Sequence, residues 1–363
     1  MSAEAATAPT KPALAPEILP PMVLEAARRR AQIFRLAFGM VLSSALAFGL
    51  VWPLSFITPV LAAKLLTLPR AMPPKLAVGF LVVFGVCLLF GTKVMLASLA
   101  YPAVHVLLTG LVLFLLFYAK AGGTQPVLIV LAVIAILMIP LVGSVNAELA
   151  GSVAAGLYIG AVVSIAVVYV AVAAFPDPPG LAPAQGKDAD VTADVPPPRA
   201  RAALALRSLI VLFPLAMAFQ MLSLVGGAVA LIMAIMLSLE PTFGKHLAAG
   251  KSLIFANLAG GLVAVVIYEL LVFVPSFTFF LMLVLLAGLV IGKWIFSDSV
   301  LGKLLAAGIT AVFIILGPSL TGDAAAEASL FIRLLLIVGA VLYVVLAFAL
   351  LERLTRGRRR LAT

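Results

Sequence analysis

Cysteine, histidine and acidic residues are all scarce in this chain of 363 residues, which holds one Cys, two His and 14 Asp plus Glu. A lone Cys87 excludes a disulfide within the chain. No His, Cys, Asp or Glu cluster has metal-ligand spacing, and neither a nucleophile elbow nor a pair of catalytic carboxylates occurs, so the residues give no support for a metal site, a cofactor or an enzyme. Charge is scarce as well. Charged residues make up 10% of the chain against 64% hydrophobic ones, with a mean hydropathy of +1.27, where soluble domains are roughly 45–50% apolar. A water-soluble fold is excluded. Segments of about ten residues alternating polar and apolar, the mark of a membrane β-barrel, are missing too; runs such as 127–142 are apolar on every face.

What the chain does hold is a series of apolar runs, and a bilayer crossing needs about 20 such residues in one hydrogen-bonded helix. They fall near 35–51, 54–68, 75–92, 96–119, 125–142 and 150–175, and again near 205–221, 224–239, 251–272, 276–292, 300–317 and 329–351. The expected fold is all-α, a polytopic membrane protein of about twelve transmembrane helices in two parallel six-helix repeats. Runs 54–68 and 224–239 are short, and whether they cross fully stays open. The divisions are a tail and interfacial helix over 1–34, a first membrane half over 35–175, a Pro-rich linker over 176–202, a second half over 203–351 and a basic tail over 352–363.

The net charge of +10 does not form one patch with interleaved aromatics, as nucleic acid would require. With the N-terminus inside, all Lys and Arg except Lys93 and Arg333 fall at the inner face, the distribution that retains both termini in the cytoplasm. Sliding the second half on the first by 171 positions aligns Thr67-Leu68 with Ser238-Leu239 and Gly79 with Gly250. Such a repeat is parallel, and secondary transporters place substrate paths between halves of that kind. The run 244–252, GKHLAAGKS, resembles a phosphate loop but has five residues between its glycines instead of four and no preceding strand, so it reads as a basic turn.

Ionisable residues inside a membrane are costly and ask for a reason. Glu269, within VVIYELLVF, is the first candidate for proton coupling, because protonation neutralises a buried carboxylate. His105 is the second. Positions four apart stack on a helix, so His105 shares a face with Tyr101 and Thr109, a stripe that lines a path or forms an interhelical hydrogen-bond cluster. Asn257, Gln220, Ser43 and Ser44 are further path candidates. Two inner turns carry Arg70 and Lys75 in one half and Glu240, Lys245 and His246 in the other, and these either draw an organic anion to the cytoplasmic mouth or serve as plain positive-inside anchors, which explains the Lys and Arg fully but not Glu240.

The segment 34–49, FRLAFGMVLSSALAFG, followed by 51–63, VWPLSFITPVLAA, and later by Leu116-Phe-Tyr and Phe175-Pro-Asp-Pro, resembles the fusaric-acid-resistance and aromatic-acid-exporter superfamily, in its small inner-membrane branch without the cytosolic domain. The resemblance implies a bacterial inner-membrane efflux component for aromatic carboxylic acids or similar amphipathic compounds, working with a periplasmic adaptor of the membrane-fusion type. It carries over no residue role. The reading that follows is a proton-coupled secondary transporter of small organic anions. A passive anion channel and a non-transporting assembly or lipid-handling protein stay open, as does a homo-oligomer.

Overall fold

A computed structural model describes residues 21–68, 72–178, 196–224, 243–297 and 299–320, together with 231, 234, 235, 238, 335, 338–340, 342–344 and 346–350. Every regular element among them is helical. In chain order these are α1 (Pro21–Leu50), α2 (Ile57–Leu66), α3 (Pro74–Ser98), α4 (Pro102–Ala121), α5 (Pro126–Gly143), α6 (Ala147–Ala174), α7 (Pro198–Met221), α8 (Phe243–Phe273), α9 (Phe277–Ile295) and α10 (Val300–Leu320), with a further apolar stretch at Val338–Leu350. The terminal tails and most of the linker and of 224–239 lie outside the described residues.

Six described helices are long and apolar enough to cross a bilayer: Met22–Leu50, Pro74–Ser98, Pro102–Ala121, Ala147–Ala174, Pro198–Met221 and Phe277–Ile295. The chain is therefore a multi-pass membrane protein. Five of the other six expected segments appear as shorter apolar helices, Ile57–Leu66, Val127–Gly143, Leu258–Phe273, Leu304–Gly317 and Val338–Leu350, and the sixth, 224–239, lies mostly outside the described residues. At 1.5 Å per residue the ten residues of α2 reach about 15 Å, half a hydrocarbon core.

Helix starts follow from local chemistry. Pro occupies the first turn of α3, α4, α5 and α7, where its missing N–H has no helical partner to lose. Asn146 caps α6 by accepting from the N–H groups of Glu148 and Leu149, and Ser276 caps α9. Inside α3 the residues Gly91–Met95 form one π-helical turn, a wider loop of chain found often at functional positions.

Packing is by close contact of small residues and apolar side chains, as expected where lipid removes the hydrophobic drive between helices. One seam joins α1 to α9, where Gly288 lies against Ala37 and Met40, Gly292 against Ile33 and Leu36, and the Phe48 and Phe280 rings meet edge to face at 5.4 Å. A second joins α4 to α7, and α8 packs along α10. Between α1 and α2 the chain breaks over 51–56, with Val51 at φ 46° and Leu54 at φ 57°. That conformation is strained for a β-branched residue and costs about 1–3 kcal/mol. The break seats on α6, where a Cβ at Gly156 would overlap the Pro53 carbonyl; Ser164 donates to the Thr58 carbonyl at 2.9 Å.

Candidate functional site

Polar side chains in the apolar interior are few, and four of them meet at one place. Ser98 ends α3, His105 and Thr109 lie one turn apart on α4, and Gln220 closes α7. Their exposures are 7%, 5%, 0% and 8%. The Ser98 hydroxyl donates to the Met95 carbonyl at 2.6 Å and lies 2.7 Å from Nδ1 of His105. On the ring's other side Nε2 is 2.8 Å from Oε1 of Gln220 and 3.5 Å from the Thr109 hydroxyl. The Gln220 amide reaches on to the Leu137 carbonyl of α5 at 3.5 Å. Both ring nitrogens are thereby engaged, which offsets the several kcal/mol an unsatisfied buried polar group costs.

The network ties α3, α4 and α5 to α7, so an imidazole joins segments from opposite sides of the Pro-rich linker. The neighbouring chain ends echo this: the Ser144 hydroxyl, just past α5, sits 3.3 Å from that of Ser223, just past α7. Ser223 takes φ 49°, so the turn after α7 is left-handed as the break after α1 is.

Of the residues singled out from the sequence, His105, Thr109 and Gln220 come together here. Tyr101 does not: it precedes α4 in a non-helical conformation and is 69% exposed. Glu269 stands exposed four residues from the end of α8, away from the buried polar groups described above. Ser43 and Ser44 are fully buried in α1; Ser43 donates to the Met40 carbonyl, while Ser44, Ser55 and Thr58 carry hydroxyls with no hydrogen-bond partner in the protein. Lys75 is exposed at the start of α3. Arg70 and Glu240 lie outside the described residues, as do the side chains of Lys245, His246 and Asn257.

Two features were missed by reading the sequence. Ser98 is separated from His105 by the helix break at 99–101, so no single helical face connects them on paper. The other is a clasp between the middle of α1 and the chain just past α6. Arg35, a nearly buried guanidinium, donates from Nε to the Phe175 carbonyl at 2.6 Å and holds Asp177 in a charge contact at 2.9 Å. The Phe175 ring packs on Phe34 and Phe38 at 5.8 and 5.7 Å. A buried Arg facing a carboxylate in Phe-Pro-Asp-Pro, an exposed-looking sequence, was the available signal.

Among the described residues no group of three or more His, Cys, Asp or Glu is placed to hold a metal ion. The chain is similar, over residues 32–171, to a family described as Protein of unknown function (DUF2955). No curated protein and no solved structure matches it.

Proposed function

We propose that this protein is a secondary transporter that exports small organic anions, aromatic carboxylic acids first among them, in exchange for protons taken up at His105. One observation carries the reading: a titratable ring, buried and fully hydrogen-bonded, bridges α4 and α7 in a multi-pass helical protein. An ionisable residue kept inside a membrane at a helix junction is by default a functional group. His105 is favoured over Glu269 because a change of charge there alters a buried contact between elements, whereas Glu269 lies on the outer surface of α8 and bridges no two elements among the described residues.

The path lies between the halves, 35–175 and 203–351. Support for the repeat comes from reciprocal packing: α1, which opens one half, packs on α9 of the other, and α7, which opens the second, packs on α4 of the first. Tyr101-Pro102 to Lys120 on α4 and Val274-Pro275 to Lys293 on α9 fall at equal spacing. Twelve crossings, cytoplasmic termini, a bacterial inner-membrane location and a periplasmic adaptor complete the reading; they rest on the distribution of Lys and Arg and on the resemblance. In that topology His105 sits one turn inside the outer end of α4, where protons enter an exporter.

The test is accumulation of radiolabelled aromatic acids in cells with and without the protein. The protein should lower accumulation, and collapsing the proton gradient or introducing His105→Gln should abolish the difference, while Glu269→Gln keeps it. Flux indifferent to the gradient would make the protein a channel; loss of coupling in Glu269→Gln alone would move the proton site there.

A further inference from the structure

We infer that Ser98 is the positioning residue for the proton at His105, its hydroxyl reversing direction as the ring changes charge. A serine has one proton to give, and Ser98 stands 2.6 Å from the Met95 carbonyl and 2.7 Å from Nδ1. When the hydroxyl donates to Met95 it can only accept from Nδ1, so Nδ1 carries a proton. Nε2 faces Oε1 of Gln220 at 2.8 Å, and an amide oxygen only accepts, so Nε2 carries one as well. These distances fit two states that differ by one proton: the imidazolium, with Ser98 donating to Met95, and the neutral Nε2–H ring, with Ser98 donating to Nδ1.

Loss of the proton has one inexpensive outcome. If Nε2 were deprotonated, its lone pair would face the Gln220 oxygen at 2.8 Å with only the long 3.5 Å contact of the Thr109 hydroxyl to supply a donor, and turning the amide over would set that oxygen against the Leu137 carbonyl, 3.5 Å from the amide nitrogen's present place. Deprotonation at Nδ1 needs only the rotation of a hydroxyl: Ser98 leaves the Met95 carbonyl and donates to Nδ1. In the reverse step a proton from water binds the Nδ1 lone pair, the Ser98 O–H returns to Met95, and no covalent bond besides the new N–H is made. Nε2–H keeps its hold on Gln220 throughout, and that bond is charge-assisted only in the protonated state. Met95 is the last residue of the π-helical turn, so the rotor transmits the ring's charge to the irregular segment of α3.

The ring's hydrogen-bond partners are all neutral. Of the ionisable residues on the elements around it, Lys93 and Tyr101 are exposed, Lys75 stands at the far end of α3 and Cys87 is a neutral thiol three turns before Ser98, α5 has none, Tyr118, Lys120, Arg199, Arg201 and Arg207 lie toward the other ends of α4 and α7, and Tyr343 donates to the Val211 carbonyl, more than two turns from Gln220. The rotor thus answers to the proton on His105 and not to a neighbouring charge.

With two histidines in the chain, the full-length protein in lipid nanodiscs, labelled with 15N-histidine and carrying His246→Gln, gives one imidazole signal. At high pH the neutral ring should be the Nε2–H tautomer, and at low pH both nitrogens should be protonated. Ser98→Ala removes one hydrogen bond, which should lower the ratio of Nε2–H to Nδ1–H tautomers by about fivefold. Ser98→Thr, which keeps the hydroxyl, should restore it. An unchanged tautomer ratio in a folded Ser98→Ala protein, or a neutral ring already in the Nδ1–H form, overturns the assignment. The role in coupling rests on the transport reading, and export separates the two: Ser98→Ala should lose gradient dependence and Ser98→Thr keep it. The expected spectra in a protein that moves no acid would sink the transport reading and leave the rotor standing.

Discussion

At the scale of single residues, the question is whether the His105–Gln220 bond serves stability or transport, and a double-mutant cycle separates them. Leaving one buried partner unsatisfied costs about 1–3 kcal/mol, whereas replacing both with apolar groups is nearly neutral. His105→Leu and Gln220→Leu should each lower thermal stability by that amount in detergent, the double variant by less than the sum, and all three should fail to export. Wild-type export by the stable double variant would reduce the network to packing. His105, Thr109 and Gln220 were legible in the sequence because a polar residue in an apolar run stands out and helical spacing places it on a face. Ser98 was not, since spacing stops meaning anything across the break at 99–101. Glu269 stood out by the same rule as His105, yet the structure leaves it exposed: a sequence marks which residues are expensive to bury and not which are buried.

At the scale of elements, the sequence marked the helices well through Pro at their first turns and uninterrupted apolar runs, and it marked run 54–68 as short. It could not show why a short helix is stable there. The reason is tertiary: the 51–56 break and α2 are held by α6, which offers glycine where the backbone arrives. Gly156→Ala forces the Pro53 carbonyl away, and overpacking of this kind costs about 1–3 kcal/mol. Gly151→Ala, one and a half turns earlier on the same helix with nothing within 4 Å of its added methyl, should be neutral or slightly stabilising, as Ala replaces Gly in a helix. Equal thermal stabilities for the two variants would mean that the break does not rest on α6.

At the scale of the molecule, the two seams between the halves differ in what opening them would cost. Apart from an exposed hydrogen bond from Arg29 to the Lys293 carbonyl at 3.0 Å, the α1 and α9 seam is built from Gly288, Gly292 and apolar side chains; separating it gives up close interlocked packing that entering lipid tails match poorly. The α4 and α7 seam holds the imidazole, amide and hydroxyl network, and water can replace each of those hydrogen bonds as it enters. The second seam is therefore the one expected to open during export, and the first the one expected to act as the pivot. Cross-links in a Cys87→Ala background decide this. Ser144→Cys with Ser223→Cys, whose present oxygens are 3.3 Å apart, should form a disulfide between the ends of α5 and α7, beside the polar network, and stop export until a reductant is added. Ile33→Cys with Gly292→Cys, where the new Cβ would lie 3.6 Å from the Ile33 Cα, should cross-link the apolar seam and leave export largely intact. If the apolar link blocked export and the polar link did not, the pivot and the gate would exchange places. His105 would then sit at a joint that never opens, where its charge could couple to transport only through the Ser98 rotor and the π-helical turn beside it.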